Sequence, residues 1–144
     1  MEPKVFLDTD ILVDFCASRD PWFPAAARVL NLAAHNKISA MTSAAGLKDV
    51  FYFARKPEGE AKARQIIYDL MKVIQVCEVN EAMWMEALKS PLTDTEDALQ
   101  LACAIQNGAE YLITRNVKHY KKAKGITVLP PPALATLTVS DEFL

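Results

Sequence analysis

Three aspartates follow one another closely near the start of the chain, directly after a short apolar run. Residues 5–7 are apolar, Asp8 follows them at once, and Asp10 and Asp14 lie a few positions further on among aliphatic residues. A buried carboxylate without a partner costs free energy, so these acids need something positive opposite them. A basic side chain would serve for Asp14, whereas Asp8 stands at the end of a predicted strand, where a ligand can bind.

A second acidic group opens the most strongly patterned helix of the sequence. Thr93 and Glu96 fit a capping box, and acids in a first helical turn favour the helix dipole, so capping alone would explain the group. However, Asp97 precedes Ile105 by eight residues and shares its apolar stripe, and Asp94 lies one turn earlier. A carboxylate at the head of a buried stripe needs a partner, whereas a cap can stay in solvent. We therefore predict that losing Asp97 harms activity far more than losing Glu96.

Asp49 is the third candidate acid, within a predicted helix and between Leu47 and Val50. It could be a solvated acid that pairs with Lys48 or Arg55, which is a common arrangement on a helix surface. It could equally be a functional carboxylate, and the pattern of the helix leaves both interpretations open.

Polar residues also follow the strand predicted over residues 109–114. Thr114, Arg115 and Asn116 stand at its carboxyl end, and one basic stretch begins there. A run of charge is usually a solvated face, but beside an acidic pocket it would guide a phosphate backbone towards that pocket. His119 in this stretch is either a surface residue or, when protonated, a contact to phosphate. The basic side chains are Arg115, Lys118, Lys121, Lys122 and Lys124.

Short apolar strands alternate with helices along the chain. This alternation predicts an α/β fold, a three-layer sandwich with a mainly parallel sheet, and in such sheets ligands bind beyond the carboxyl ends of the strands. The triplet 57–59 is expected to end the third helix. We predict one domain over residues 1–144, with a tail of uncertain structure from about residue 130. The predicted strands are 5–7, 37–41, 73–79, 109–114 and 125–129, and the predicted helices are 10–17, 21–36, 43–54, 60–72, 80–90 and 93–108.

The bulk composition limits the classes of function. The formal net charge of the 144 residues is −2, so the chain as a whole is not a basic nucleic-acid-binding surface. Cys16, Cys77 and Cys103 are far apart and have apolar neighbours, which predicts buried reduced thiols rather than a zinc site. No apolar signal segment or membrane-length stretch is present in the sequence, so we expect a cytoplasmic protein without a membrane partner.

Carboxylates from several strand ends, without pairs of Cys or His ligands, predict an oxygen-rich site. Hard cations such as Mg²⁺ or Mn²⁺ suit that ligand set better than zinc does. A hard cation with open positions for water and phosphate oxygens is typical of phosphodiester hydrolysis, because it lowers the pKa of a water and neutralises charge on phosphorus. A metal ion is therefore the expected partner of these acids.

The motifs resemble those of the PIN-domain family, metal-dependent ribonucleases that include the VapC-type toxins. The start "VFLDTDILVD" is similar to the family's apolar strand followed by Asp-Thr, with Asp8 in the first metal-ligand position and Thr9 beside it. The segment "TEDALQLACAIQNGAEYLITRNVKHY" is similar to the family's D-x-x-D-A helix and the polar strand end after it, with Asp94 and Asp97 in the acidic positions. The likeness extends to about Leu129.

The resemblance implies a parallel sheet of four or five strands between helices, commonly a homodimer, and an acidic pocket that binds Mg²⁺ or Mn²⁺ and cuts single-stranded RNA with a metal-activated water. The sequence departs from the family at Asp49, where a glutamate is usual, and at His119, where many relatives have aspartate. The implied metal ligands and catalytic residues are Asp8 and Asp97, with Asp94 or Asp49 binding directly or through water. The implied supporting residues are Thr9, Asp10, Thr114 and Asn116, and the implied RNA contacts are Arg115, Lys118, His119 and Arg55.

Several functions fit this resemblance. The leading hypothesis is the toxin of a toxin–antitoxin pair, restrained by an antitoxin that inserts a basic side chain into the pocket. A second is a non-toxic RNA-processing nuclease. A third is a catalytically weakened module that binds RNA or protein, because Asn116 is neutral and His119 replaces an acid. A DNA flap nuclease shares the chemistry, but the chain is short for the additional elements that such enzymes need.

Overall fold

The protein, as a computed structural model that describes residues 2–134, is built on five parallel strands flanked by helices. The strands are β1 (Lys4–Leu7), β2 (Ser39–Ser43), β3 (Gln75–Cys77), β4 (Tyr111–Ile113) and β5 (Thr127–Leu129). The α-helices are α1 (Thr9–Cys16), α2 (Phe23–Ala34), α3 (Ala44–Glu58), α4 (Glu60–Leu70), α5 (Glu81–Lys89) and α6 (Thr95–Gln106), and a 3₁₀ turn spans Val117–Tyr120.

The sheet order is β3-β2-β1-β4-β5, with every neighbouring pair parallel. β1 lies at the centre, and Leu7 pairs with Ile113 in β4. Because parallel strands end at the same edge, the residues that follow β1 and β4 must meet beyond that edge. The topology thus brings together residues that are about a hundred positions apart in the chain.

Two hydrophobic clusters lie on opposite faces of the sheet. Val5 and Leu7 belong to the cluster with α1 to α4, whereas Phe6 between them belongs to the cluster with α5 and α6. Successive side chains of a strand point to opposite faces, so a strand buried on both sides is apolar throughout. This pattern confirms the predicted three-layer α/β/α fold with a parallel sheet.

The predicted elements are confirmed, although several boundaries differ, as for β3, which spans Gln75–Cys77 instead of residues 73–79. α3 continues beyond its predicted end, through Pro57 to Glu58, and its C-cap is Gly59, whose φ of +86° lies in the region that glycine tolerates. β2 begins two residues later than expected and runs to Ser43, whose side chain then caps α3 by accepting from Gly46 N–H. Of the tail predicted from about residue 130, the structure describes residues 130–134, which begin with three prolines and end at the buried Leu134. The rest of that tail lies outside the described residues.

All three cysteines are free and buried, as predicted. Burial raises the pKa of the Cys16 and Cys103 thiols to about 12, which leaves them as inert apolar side chains at neutral pH. Within residues 2–134, no helix has the length and apolar character to cross a membrane.

Candidate active site

Asp8 lies at the carboxyl edge of the sheet, where β1 meets α1. It is buried and serves as the N-cap of α1, with Oδ1 accepting from Thr9 N–H at 2.8 Å. Thr114, the first residue after β4, donates its hydroxyl to Asp8 Oδ2 at 2.8 Å, and the Tyr120 hydroxyl lies 3.1 Å from the same oxygen. Three donors thus hold the Asp8 carboxylate in one orientation.

Asp10 stands on the first turn of α1 beside Asp8. Its Oδ2 accepts from Asn116 Nδ2 at 3.0 Å and lies 3.4 Å from the Thr114 hydroxyl. Its Oδ1 is buried and has no hydrogen-bond partner within residues 2–134. Burial, and then the nearby Asp8 carboxylate, raises the pKa of Asp10 to about 7.

Asp97 reaches the same place from the first turn of α6. Its Oδ1 lies 3.4 Å from the Tyr120 hydroxyl, which therefore stands between Asp97 and Asp8. Its Oδ2 is buried without a hydrogen bond in the described part of the chain, although His119 Nδ1 is 3.3 Å away. Burial, followed by Asp8 and Asp94, raises the pKa of the Asp97 carboxyl to about 6.

These acids form one wall of an open cleft of about 450 Å³. Asp49 also faces this cleft, as do Arg19 and Lys48, so the opening of an acidic site carries two cations. The exposed Glu96 lines it too, next to Asp97. The complete lining is Asp8, Thr9, Asp10, Val13, Arg19, Ala45, Gly46, Lys48, Asp49, Phe53, Trp84, Glu96, Asp97, Leu99, Gln100 and Asn116.

The donor set fits a hydrated hard cation. Asp10 Oδ1 and Asp97 Oδ2 are buried oxygens that lack partners within residues 2–134, and burial first, then the neighbouring carboxylates, raises the pKa of both carboxyls. No group of three or more His, Cys, Asp or Glu side chains within residues 2–134 is close enough to enclose an ion by itself. Mg²⁺ commonly keeps several waters and takes only one or two carboxylates. The two free carboxylate oxygens therefore suit a hydrated Mg²⁺ even though no cluster of three protein ligands is present within residues 2–134.

Asp94 lies outside the cleft wall. It is the exposed N-cap of α6, with Oδ1 accepting from Asp97 N–H at 3.0 Å. The sequence allowed the cap of this helix at Thr93 or Asp94, and the structure has it at Asp94, so the alternative of a capping box with Thr93 and Glu96 was wrong. Ile105 is exposed, so the apolar stripe assigned to Asp97 was also wrong at that end, although Leu101 on it is buried. Direct metal binding by Asp94 stays a prediction.

Arg115 has a structural partner. It binds the fully buried Asp14 through two hydrogen bonds of 2.6 and 3.1 Å, and its guanidinium lies 4.0 Å above the centroid of the Trp22 ring. The Asp14 carboxylate holds the pKa of Arg115 above its usual value. The basic partner expected for Asp14 is thereby identified as Arg115, and its proposed contact with RNA stays a prediction.

The other predicted RNA contacts lie away from the cleft lining. Arg55 is 3.6 Å from Glu60 and close to the rings of Phe51 and Tyr52. Lys118 and His119 are exposed on the 3₁₀ turn, with His119 beside Asp97. These positions leave their contacts with RNA as predictions.

Tyr120 was not identified as a site residue from the sequence. Burial, with Asp8 and Asp97 nearby, raises the pKa of its phenol, so the group stays protonated and donates to the carboxylates. Its position four residues after Asn116, on a short turn, carried no periodic signal.

A hydrogen-bond network that includes Gln100 was also missed. Gln100 Nε2 donates to Thr9 Oγ1 at 2.8 Å, and the Ser43 hydroxyl donates to Gln100 Oε1. Gly46 packs against this network, because a Cβ there would lie 2.5 Å from Thr9 Oγ1. A glutamine inside a helical apolar face was the only available sequence signal.

Comparison with known proteins gives the family of the chain. A family model described as PIN domain matches residues 4–118. A toxin–antitoxin complex from Klebsiella pneumoniae is similar in structure, with a TM-score of 0.67 and 22% identity over 88% of this chain and 97% of that one. VapBC2 from Rickettsia felis, bound to a promoter DNA fragment, has a TM-score of 0.66 and 17% identity over 88% and 98%.

A third similar structure is VapC20 of Mycobacterium tuberculosis, a toxin that cleaves the sarcin-ricin loop. Its TM-score is 0.60, with 20% identity over 75% of this chain and 86% of that one. No curated protein matches the sequence. At these identities the solved structures support the fold, and the family match covers most of the chain. The chain therefore belongs to the PIN domain family.

Proposed function

We propose that this protein is a metal-dependent endoribonuclease that cleaves single-stranded RNA and acts as the toxin of a toxin–antitoxin pair. The observation that carries the proposal is the pair of buried, unpartnered oxygens, Asp10 Oδ1 and Asp97 Oδ2, beside Asp8 in an open cleft. The VapBC complexes and the loop-cleaving toxin among the similar structures support the toxin assignment. An antitoxin and a second copy of the chain are the proposed protein partners.

The proposed roles follow from the contacts of each side chain. Asp8 and Asp97 would hold Mg²⁺ or Mn²⁺, with Asp49 reaching it through water. A bound cation would supply a water of lowered pKa and neutralise charge on the scissile phosphate. Asp10 would orient the attacking water through Oδ1, and Thr114 with Tyr120 would keep Asp8 in place. Asp94 would act by fixing the start of α6.

The electrostatics of the cleft favour a phosphodiester substrate once a cation is bound. Without it, the clustered carboxylates repel a phosphate. With it, the local charge is reversed or cancelled, and Lys48 and Arg19 in the same wall would contact the flanking phosphates. We therefore propose these two side chains as RNA contacts in addition to Lys118 and His119.

The test is cleavage of mixed single-stranded RNA and transfer RNA in the presence of Mn²⁺. Wild type should cleave the RNA. Chelation, which removes the ion, and Asp97→Asn, which removes a ligand while keeping the side-chain shape, should each lower the cleavage rate by at least about a hundredfold. Glu96→Gln is the matched control, one residue earlier on the same turn and exposed. A larger loss in Glu96→Gln than in Asp97→Asn would contradict the assignment.

A second candidate is a PIN domain that binds RNA or protein without efficient chemistry. The neutral Asn116, and the lack of three grouped ligands within residues 2–134, favour it. It predicts RNA binding that is unaffected by chelation and by Asp8→Asn. Folded wild type that binds RNA but leaves it intact at high Mn²⁺ would establish this candidate over the nuclease.

Expression in cells separates the toxin from a processing enzyme. A toxin should arrest growth on induction, and Asp97→Asn should relieve the arrest. Co-expression of a small neighbouring open reading frame should also relieve it. Cleavage in vitro with unaffected growth would instead support the RNA-processing role.

A further inference from the structure

We propose that Trp84 is a base-stacking platform at the mouth of the cleft, which binds an unpaired base next to the scissile phosphate. The inference rests on the proposed function, because it names how that site would recognise a single strand. Trp84 lies on α5 and lines the same cleft as Asp8 and Asp97, yet it is 46% exposed.

Trp84 is one of three exposed large apolar residues on α5, with Met85 and Leu88, and of these three it is the one that lines the cleft. On α5, Met83 and Ala87 face the core and are buried, whereas Trp84 faces the cleft. At an exposed position on a helix, a large aromatic side chain is less favourable in water than a polar one. An aromatic side chain kept at the opening of a polar cleft is therefore a candidate ligand contact.

The two tryptophans of the chain differ in what covers them. The Trp22 ring carries the Arg115 guanidinium 4.0 Å above its centroid. The other aromatic of the cleft, Phe53, has the Arg19 guanidinium 5.1 Å from its ring centroid. No aromatic or cationic side chain of residues 2–134 is stacked on Trp84, and nearly half of the residue's surface is open to solvent.

The charges around Trp84 favour a nucleic acid strand as the occupant. Lys48 and Arg19 line the same cleft and can contact backbone phosphates, while the acidic wall would hold the cation at the scissile one. Every base has a π face, so a single aromatic side chain can bind any unpaired base, and a paired base in a duplex cannot reach it. The arrangement thus selects single strands without selecting a sequence.

The binding experiment uses the full chain in an Asp97→Asn background, which keeps the RNA intact, with Mn²⁺ present to offset the charge of the remaining carboxylates. Trp22→Phe in the same protein leaves Trp84 as the sole tryptophan. Titration with a short mixed-sequence single-stranded RNA should quench its fluorescence. The Trp84 variants lack this reporter, so their affinities are measured by the fluorescence anisotropy of a labelled RNA. Trp84→Leu should weaken binding by roughly 5- to 150-fold, the range for losing one base stack, whereas Trp84→Tyr should retain most of the affinity.

Met85→Ala is the matched control, because Met85 is an equally exposed apolar neighbour on α5 that does not line the cleft. An RNA with one abasic position near the cleavage point gives a second test. It should bind wild type less tightly but bind Trp84→Leu as well as the intact RNA does. Unchanged affinity in Trp84→Leu, or an equal loss in Met85→Ala, would overturn the proposal.

The outcomes separate this proposal from the proposed function. Metal-dependent cleavage that Trp84→Leu leaves unchanged would keep the nuclease and overturn the stacking site. RNA binding that quenches Trp84, without cleavage by wild type, would keep the stacking site and overturn the nuclease. If Trp84→Leu instead alters the oligomeric state in sedimentation and leaves RNA affinity unchanged, the exposed face of α5 binds protein and the proposal is wrong.

Discussion

Asp10→Asn should stabilise the metal-free protein at alkaline pH. Asp10 has a buried oxygen without a hydrogen bond, and burial beside Asp8 raises its pKa to about 7. The ionised form is therefore disfavoured by the folded state. A neutral amide of the same shape removes that penalty and can still accept from Asn116.

The size and sign of the effect follow from linkage. The gap between a pKa of about 7 and the ordinary value of 3.8 corresponds to at most roughly 4 kcal/mol. Because the folded-state pKa is the higher one, the stabilising effect of the proton is complete below pH 3.8 and is lost as the pH rises through about 7. Wild type should therefore lose stability between pH 4 and pH 8, and Asp10→Asn should lose less.

Urea unfolding at pH 8 and pH 5, in the presence of a chelator, measures this difference. We expect a gain of about 1–4 kcal/mol for Asp10→Asn at pH 8 and a smaller gain at pH 5. Asp49→Asn is the control, since Asp49 is exposed in the same cleft and should change stability by less than about 0.5 kcal/mol. The electrostatic explanation would be refuted if Asp10→Asn did not raise the free energy of unfolding at pH 8, or raised it equally at both pH values.

The remaining predictions concern the supports of the site. Arg115→Met should destabilise the fold by up to roughly 3–5 kcal/mol because it leaves the buried Asp14 with only the longer 3.9 Å contact to Arg19, and adding Asp14→Leu should recover most of that loss in urea unfolding. If the double variant were no more stable than the single one, the ion pair would not be the cause. Gly46→Ala should lower the free energy of unfolding by about 1–3 kcal/mol and weaken Mn²⁺ binding, because the added Cβ would displace Thr9 from Gln100. If calorimetry shows unchanged Mn²⁺ affinity, Thr9 does not support the metal site. Mn²⁺ affinity should fall by about tenfold or more from pH 7.5 to pH 5, since Asp97 must release a proton to bind the ion and Asp10 must release one to accept from a water on it. Calorimetry in buffers of different ionisation enthalpy should register that proton release, and a pH-independent affinity would contradict the ligand set.

The local features of this fold could be predicted from the sequence. The apolar run of β1 and the periodic start of α6 are short-range patterns, and the structure contains both. The strand-end rule also predicted that Asp8 and Thr114 would lie at the same edge of the sheet, because it needs only the parallel direction of the strands, and in the structure the two side chains are hydrogen-bonded. Those rules depend on neighbours in the chain, so the sequence carries them directly.

The assignment of partners within the site was decided by the tertiary structure. Tyr120 meets Asp8 across 112 residues, and Gln100 meets Thr9 across 91. The sequence offered Arg115 as an RNA contact and Asp94 as a metal ligand, yet the folded chain pairs Arg115 with Asp14 and uses Asp94 as a helix cap. The residue types and the strand order determined where acids would gather. Which acid is satisfied, and which keeps a free oxygen for a cation, depends on side-chain packing across the sheet edge, which no local pattern encodes.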